Sequence, residues 1–288
     1  MLYDCDLTLT SEYMQEPIFR KFGIKGDDFW KENDALIAQA KGRGISYDDE
    51  CAYLNLMLRY VREGKFPGLS NSLLQQLGAE LPLFPGLPEF FGRISAVVEQ
   101  EPYQKHHLTV EHYVISTGLR MMIEGSLLGP HLKGIYASEF EENDGVVAEI
   151  ARTVGHLKKT EYLYMVNKGC NVNPAIDING TLAEEARRVP FHNMIYVGDG
   201  PTDVPCFSTV NKGGGTCFSV YDPTKRRSFK HAYTLRKQGR VFDFGEADFS
   251  EGSHISRSIQ YTIEQVADRI VREREQTLQG MMSDAPRH

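Results

Sequence analysis

Residues 2–9 read Leu-Tyr-Asp-Cys-Asp-Leu-Thr-Leu, a short apolar lead that runs into two aspartates. The stretch reads as a brief strand ending in a loop. Only two apolar residues stand between the initiator and Asp4, fewer than a buried parallel strand normally has. In extended backbone the side chains at i and i+2 share a side, so Asp4 and Asp6 face one way and Cys5 faces the core. Two carboxylates that close resist ionising together. A divalent cation offsets the cost for the one that ligates it and leaves the other to hold a proton. A nucleophile beside an acid/base needs that division. Taken alone, the pair reads equally well as an acidic loop without function.

Working outward, residues 12–80 show helix spacing and no β-alternation. Four helical segments are expected there. The third opens at Ser46 with Asp49 three residues on, a variant of the capping box. Pro82, Pro85 and Pro88 mark a rigid turn back into a second region. From there strand and helix alternate, which predicts an α/β fold: a Rossmann-like, mostly parallel sheet flanked by helices, with an inserted all-helical domain. The expected division is a core of residues 1–11 plus 86–276, a helical cap at 12–85 and a C-terminal tail at 277–288. The helix expected over 256–275 carries Ile259, Ile263, Val266 and Ile270 on one side. That stripe suits packing on the parent sheet better than a homodimer interface, though it is compatible with both.

Ligands of parallel sheets sit beyond the carboxyl ends of the strands. Three further stretches fall at such places or at a helix start. Ile115-Ser116-Thr117-Gly118-Leu119 lies between a strand and a helix. Hydroxyls and free N–H groups there suit an anion, although a plain helix cap accounts for them too. Lys158-Lys159-Thr160 heads a helix, an unfavourable place for a cation without a nearby anion. Lys159 is the preferred partner for a phosphoryl oxygen or an attacking carboxylate, with Lys158 and Lys168 as alternatives. Gly198-Asp199-Gly200-Pro201-Thr202-Asp203 follows the apolar run Met194–Val197. Its glycines let the chain turn around Asp199, a good oxygen ligand for a hard cation such as Mg2+. Asp203 either adds a ligand or holds the lysine.

Taken together, these pieces resemble the haloacid dehalogenase (HAD) superfamily in its phosphatase branch: D-x-D-x-T at 4–8, a Ser/Thr stretch at 116–118, a Lys at 158–160 and G-D-x-x-x-D at 198–203, in that order. The first and last motifs are specific; the middle two gain meaning from position. The helical insertion between the first two is similar to the first type of cap in the phosphoserine-phosphatase group, with Thr202 where that group has Asn. The resemblance implies Asp4 as nucleophile and Asp6 as acid/base, with Lys159 balancing charge and Ser116, Thr117 and Gly118 holding phosphate. Mg2+ would rest on Asp4, the Asp6 backbone carbonyl and Asp199, with Asp203 behind them. The implied partner is a small phosphorylated metabolite. The second aspartate, Asp6, sets this pattern apart from the members that cleave carbon–halogen bonds.

The 288 residues carry 32 Lys and Arg against 39 Asp and Glu, a net charge of −7, which gives no general attraction to nucleic acid or an anionic membrane. No segment approaches the about 18 apolar residues of a membrane span. Five cysteines without C-x-x-C spacing argue against a zinc knuckle or redox dithiol and for a reducing, cytoplasmic setting. No G-x-G-x-x-G follows the first strand and no H-E-x-x-H occurs, which disfavours a dehydrogenase and a zinc hydrolase. The alternatives that remain are a phosphotransferase using the same phospho-aspartate and a non-catalytic binding protein on this fold.

Overall fold

The computed structural model describes residues 1–283. Seven strands form one sheet in the order β4-β3-β2-β1-β5-β6-β7. They are β1 (Leu2–Tyr3), β2 (Tyr113–Leu119), β3 (Gly134–Asn143), β4 (Val146–Arg152), β5 (Ile195–Gly198), β6 (Thr216–Tyr221) and β7 (Asp243–Glu246). Every pairing is parallel except β3 with β4, a hairpin whose second strand the sequence reading did not anticipate. Strand order runs outward from β1 in both directions, so the β1/β5 boundary is the switch point of the sheet. β1 is only two residues long, as its two apolar residues imply. Period-two alternation assigns the faces. Tyr3 and Val114 join one core cluster while Leu2, Tyr113 and Ile115 join the other.

Four helices lie between β1 and β2: α1 (Glu16–Phe22), α2 (Gly26–Gly42), α3 (Asp49–Arg62) and α4 (Asn71–Gly78). The expected capping box at Ser46 does not form. The cap residue of α3 is Asp48, which makes no side-chain cap bond. At α4, by contrast, the Ser70 hydroxyl accepts from the Leu73 N–H at 3.1 Å. Phe19, Phe29, Tyr60 and Phe66 pack edge-on or tilted inside this helical domain.

The remaining helices are α5 (Glu89–Ala96), α6 (Arg120–Gly125), α7 (Lys159–Lys168), α8 (Val204–Lys212), α9 (Arg226–Lys237) and α10 (His254–Ser283). α4 crosses α6 at Gly78 and Gly125 with no space for side chains: a Cβ on Gly125 would lie 1.8 Å from the Gln75 carbonyl oxygen. That crossing ties one end of the helical insertion to the core. On α10, Ile255, Ile259, Ile263, Ala267 and Val271 are buried in the core shared with β1 and α5. Ile259 and Ile263 of the expected stripe thus pack on the chain's own core, whereas Val266 and Ile270 are only half-buried. α10 also carries helix through 277–283, where the sequence reading expected a tail, and residues 284–288 lie outside the described residues. No described helix is long and apolar enough to cross a membrane.

Candidate active site

Asp4 is the first residue beyond β1, and its N–H donates to the Val197 carbonyl of β5 at 3.0 Å. Its Oδ1 accepts the Cys5 N–H at 2.7 Å. The chain then turns tightly. The N–H groups of Thr8, Leu9 and Thr10 all point at the Cys5 carbonyl, and Leu7 takes the left-handed conformation with φ 58°. That geometry is unusual for a side chain of this size. The turn returns Asp6 to the side of Asp4, and Cys5 is fully buried. Asp6 Oδ1 accepts the Met14 N–H at 3.2 Å, so the first turn of the insertion is tied to the second aspartate.

Lys159, the first residue of α7, is fully buried. Its Nζ lies 2.9 Å from Asp4 Oδ2 and 2.9 Å from Asp203 Oδ1. Asp203 Oδ1 also accepts from the Tyr196 hydroxyl at 2.8 Å. Asp203 Oδ2 is buried with no hydrogen-bond partner among the described residues. It sits so close to β5 that a Cβ on Gly198 would lie 2.3 Å from it, so only glycine fits there. Carboxylate oxygens of Asp4, Asp199 and Asp203 all fall within 4.8 Å of one another. Of the three lysines considered, Lys159 is the one that reaches the acids. Lys168 instead donates to the carbonyls of Ile178 and Gly180, at 2.5 and 2.8 Å.

The electrostatics follow from burial. Desolvation, then the charge of Asp203, pushes the Asp4 carboxyl up to about 6, with Lys159 opposing. Desolvation, then the charge of Asp4, pushes Asp6 up to about 8, with the Met14 N–H and Lys159 opposing. Asp199 is raised for the same reason, with Asp203 and Asp4 adding to desolvation. For Lys159, desolvation alone would lower the ammonium, but the charges of Asp203 and Asp4 overcome it and hold the group above its ordinary value. One ammonium thus sits between two acids, with Asp199 clustered beside them. The orphaned Asp203 Oδ2 and the convergent hard oxygens fit a divalent cation, which would offset the excess negative charge.

Ser116, Thr117 and Gly118 close β2 rather than cap a helix, because the backbone stays extended to Leu119 and α6 begins at Arg120. The Ser116 hydroxyl accepts the Gly118 N–H at 3.0 Å, and Met14 Sδ accepts the Leu119 N–H at 2.8 Å. The Met14 thioether lies over Gly118, where a Cβ would approach its sulfur to 2.2 Å. Three contacts around this stretch escaped the sequence reading. The Tyr53 hydroxyl of α3 donates to the Thr117 carbonyl at 2.8 Å, Ser138 Oγ donates to the same carbonyl at 3.3 Å, and Met14 fills the space above. Helix spacing puts Tyr53 on the apolar stripe of α3, but no local pattern shows which distant element these three residues meet.

Two solved structures share this fold. A crystal structure of a HAD family hydrolase from Salmonella enterica serovar Typhi superposes with a TM-score of 0.51 at 17% identity, covering 84% of this chain and 65% of that one. Phosphoserine phosphatase in its apo form gives 0.51 at 14% identity, covering 87% of this chain and 94% of that one. The chain has the haloacid dehalogenase fold. It is a Rossmann-like sheet with a helical cap. The chain spans about two thirds of the Salmonella enterica hydrolase, 65% of its length. An uncharacterised protein of Borreliella burgdorferi strain B31 is 30% identical over 274 residues, covering 88% of this chain and 93% of that protein. The chain belongs to one family with it. No family model matches the chain.

Proposed function

We propose that this haloacid dehalogenase fold is a magnesium-dependent phosphohydrolase acting on a small phosphomonoester through a phospho-aspartate at Asp4. One observation carries the reading. Asp4, Asp199 and Asp203 converge within 4.8 Å at the ends of adjacent strands, with Lys159 wedged between two of them.

Asp4, Asp199 and the Asp6 backbone carbonyl would hold the cation, with Asp203 positioned beside them. When bound, Mg2+ would offset the repulsion between a carboxylate and a phosphate dianion. The chain's own residues carry the steps. An Asp4 oxygen forms a bond to phosphorus as the ester oxygen leaves. Asp6, whose raised pKa of about 8 keeps a proton on it at neutral pH, donates that proton to the leaving oxygen. Asp6, now a base, takes a proton from water as the water oxygen attacks phosphorus and the Asp4–phosphorus bond breaks. Water is consumed, and alcohol and phosphate are released. Lys159 stays charged throughout and orients Asp4. The Ser116–Gly118 stretch would receive the phosphoryl oxygens. An anion there takes over the N–H groups that Ser116 Oγ and the Met14 thioether now accept, so Met14 must swing aside. The helical cap over the mouth supports a small substrate rather than a folded phosphoprotein. The five free thiols support a cytoplasmic setting, which belongs to the same proposal.

The test is release of phosphate from an aryl phosphate with and without Mg2+, run beside Asp4→Asn. Turnover that needs Mg2+ and vanishes in the variant is expected. Near-normal activity of Asp4→Asn would sink the reading.

A further inference from the structure

A second charged feature lies beside the mouth and takes no part in the chemistry above. Although the chain is acidic overall, residues 223–242 contain no Asp or Glu. α9 occupies most of this stretch and is anchored near the entry to the insertion. Lys225, just before it, pairs with Asp222 at 3.0 Å and reaches the Ser11 carbonyl at 3.5 Å. On its core side, Ala232 and Leu235 are buried. Next to them a groove of about 530 Å³ opens, lined by Arg227, Lys230, His231 and Arg240 together with the apolar Val204, Leu235 and Pro201. No carboxylate lines it, and among the described residues Arg227, Lys230 and Arg240 form no ion pair.

Two observations tie the groove to the active site. Pro201 stands two residues beyond Asp199, so the turn that positions Asp199 is also the groove wall. At the head of α9, Lys225 reaches the carbonyl of Ser11, five residues beyond Asp6, at 3.5 Å. One mouth is therefore bordered by acids that suit a metal and by cations that do not serve it. A phosphate bound at Asp4 needs neither Arg227 nor Lys230. A second anionic group on the same molecule would, because unscreened cations around a concave surface recognise anions.

We propose that this groove binds a second anionic group, a phosphate or a carboxylate, of the phosphorylated substrate, with Arg227 and Lys230 as its specificity-determining residues. The proposal rests on the phosphohydrolase reading, and two measurements separate the fates of the two.

The first compares matched substrates by kcat/KM. Glycerol 3-phosphate against 3-phosphoglycerate reads a carboxylate, and fructose 6-phosphate against fructose 1,6-bisphosphate reads a phosphate. The wild-type chain favours the more anionic member of at least one pair. R227A/K230A reduces that preference about tenfold or more, chiefly through KM. R236A/K237A removes equal charge from the same helix outside the groove and leaves the preference intact. The second measurement is calorimetric binding of methylenebisphosphonate to the full chain in EDTA, where no turnover occurs. It binds the wild type and binds R227A/K230A at least about tenfold more weakly. No binding to the wild type, or equal weakening in both double variants, overturns the proposal. Turnover of phosphomonoesters with a preference that R227A/K230A does not change also counts against the groove. Groove-dependent binding with no turnover of any phosphomonoester counts instead against the phosphohydrolase reading, and with it against a substrate as the occupant.

Discussion

Lys159→Met would remove the ammonium that lies 2.9 Å from both Asp4 and Asp203 while keeping most of the side-chain volume. All three groups are buried, so the acids left behind are not rescued by water. Breaking a buried pair by deleting one partner costs about 3–5 kcal/mol. The cost depends on pH in a definite direction. Lys159, held above its ordinary value, does not titrate between pH 5 and 8. Asp4, raised to about 6, does. Below that value Asp4 is largely neutral, and its share of the loss falls to a hydrogen bond, about 1–2 kcal/mol. Above it the variant must either bury a bare carboxylate or hold a proton that the unfolded chain has released. The penalty therefore grows as pH rises through about 6. A domain of this size typically has about 5–15 kcal/mol of stability, so the variant should still fold. Urea unfolding in EDTA at pH 5 and pH 8, for wild type and variant, measures the difference. A loss at pH 8 exceeding that at pH 5 by about 2 kcal/mol is expected. An equal, small loss at both values would refute the burial of Lys159 between two acids.

Other outcomes follow from the same geometry. Asp199→Asn should raise the Mg2+ concentration needed for half-maximal activity by about tenfold or more, as read by metal titration. In the wild type that requirement should fall as pH rises from 5 to 8, because Asp4 and Asp199, both raised, must lose protons to take the metal. In the first turnover, before water must clear the phospho-aspartate, Asp6→Asn should slow leaving-group release from alkyl phosphates by about 10²–10⁴-fold but from aryl phosphates much less, since only the alkoxide needs a proton. Equal losses on both would remove Asp6 from the acid role. Gly125→Ala forces a Cβ against the Gln75 carbonyl and should cost about 1–3 kcal/mol in a thermal melt. Gly92→Ala, exposed and with nothing within 4 Å of its Cβ, should stabilise α5 slightly.

The sequence carried the fold where local rules act alone. Alternating strand and helix from residue 113 onward, and helix spacing before it, announced a parallel sheet with a helical insertion. The same holds for the acids. Asp4, Asp6, Asp199 and Asp203 flank short apolar runs in β1 and β5, and glycine at 198 marks a close approach that the structure explains by Asp203 Oδ2. What stayed hidden depends on contacts between distant elements. β4 is the exception: it pairs back on β3 across a tight turn at Asp144 and Gly145, both in the left-handed conformation, and Asp-Gly followed by Val146, Val147 and Ile150 is a local hairpin signal that the sequence reading passed over. Ser116 reads as a helix cap because a helix follows. Nothing nearby tells that the backbone remains extended to Leu119. Tyr53 and Met14 come from the insertion, so their place over Thr117 and Gly118 depends on how it docks. Residues 225–240 are basic by composition, but only the fold places Arg227 in one groove with Pro201, two residues beyond Asp199.

Chemical trapping at residue 4 reaches the heart of the account. With Mg2+ and an excess of aryl phosphate, a quenched reaction treated with borohydride should convert the phosphorylated Asp4 to homoserine, and mass spectrometry of the N-terminal peptide should find the change there and nowhere else. The yield should rise in Asp6→Asn, which forms the phospho-aspartate but cannot activate water to clear it. Steady turnover with Asp4 unmodified, or modification at another carboxylate, would contradict the account.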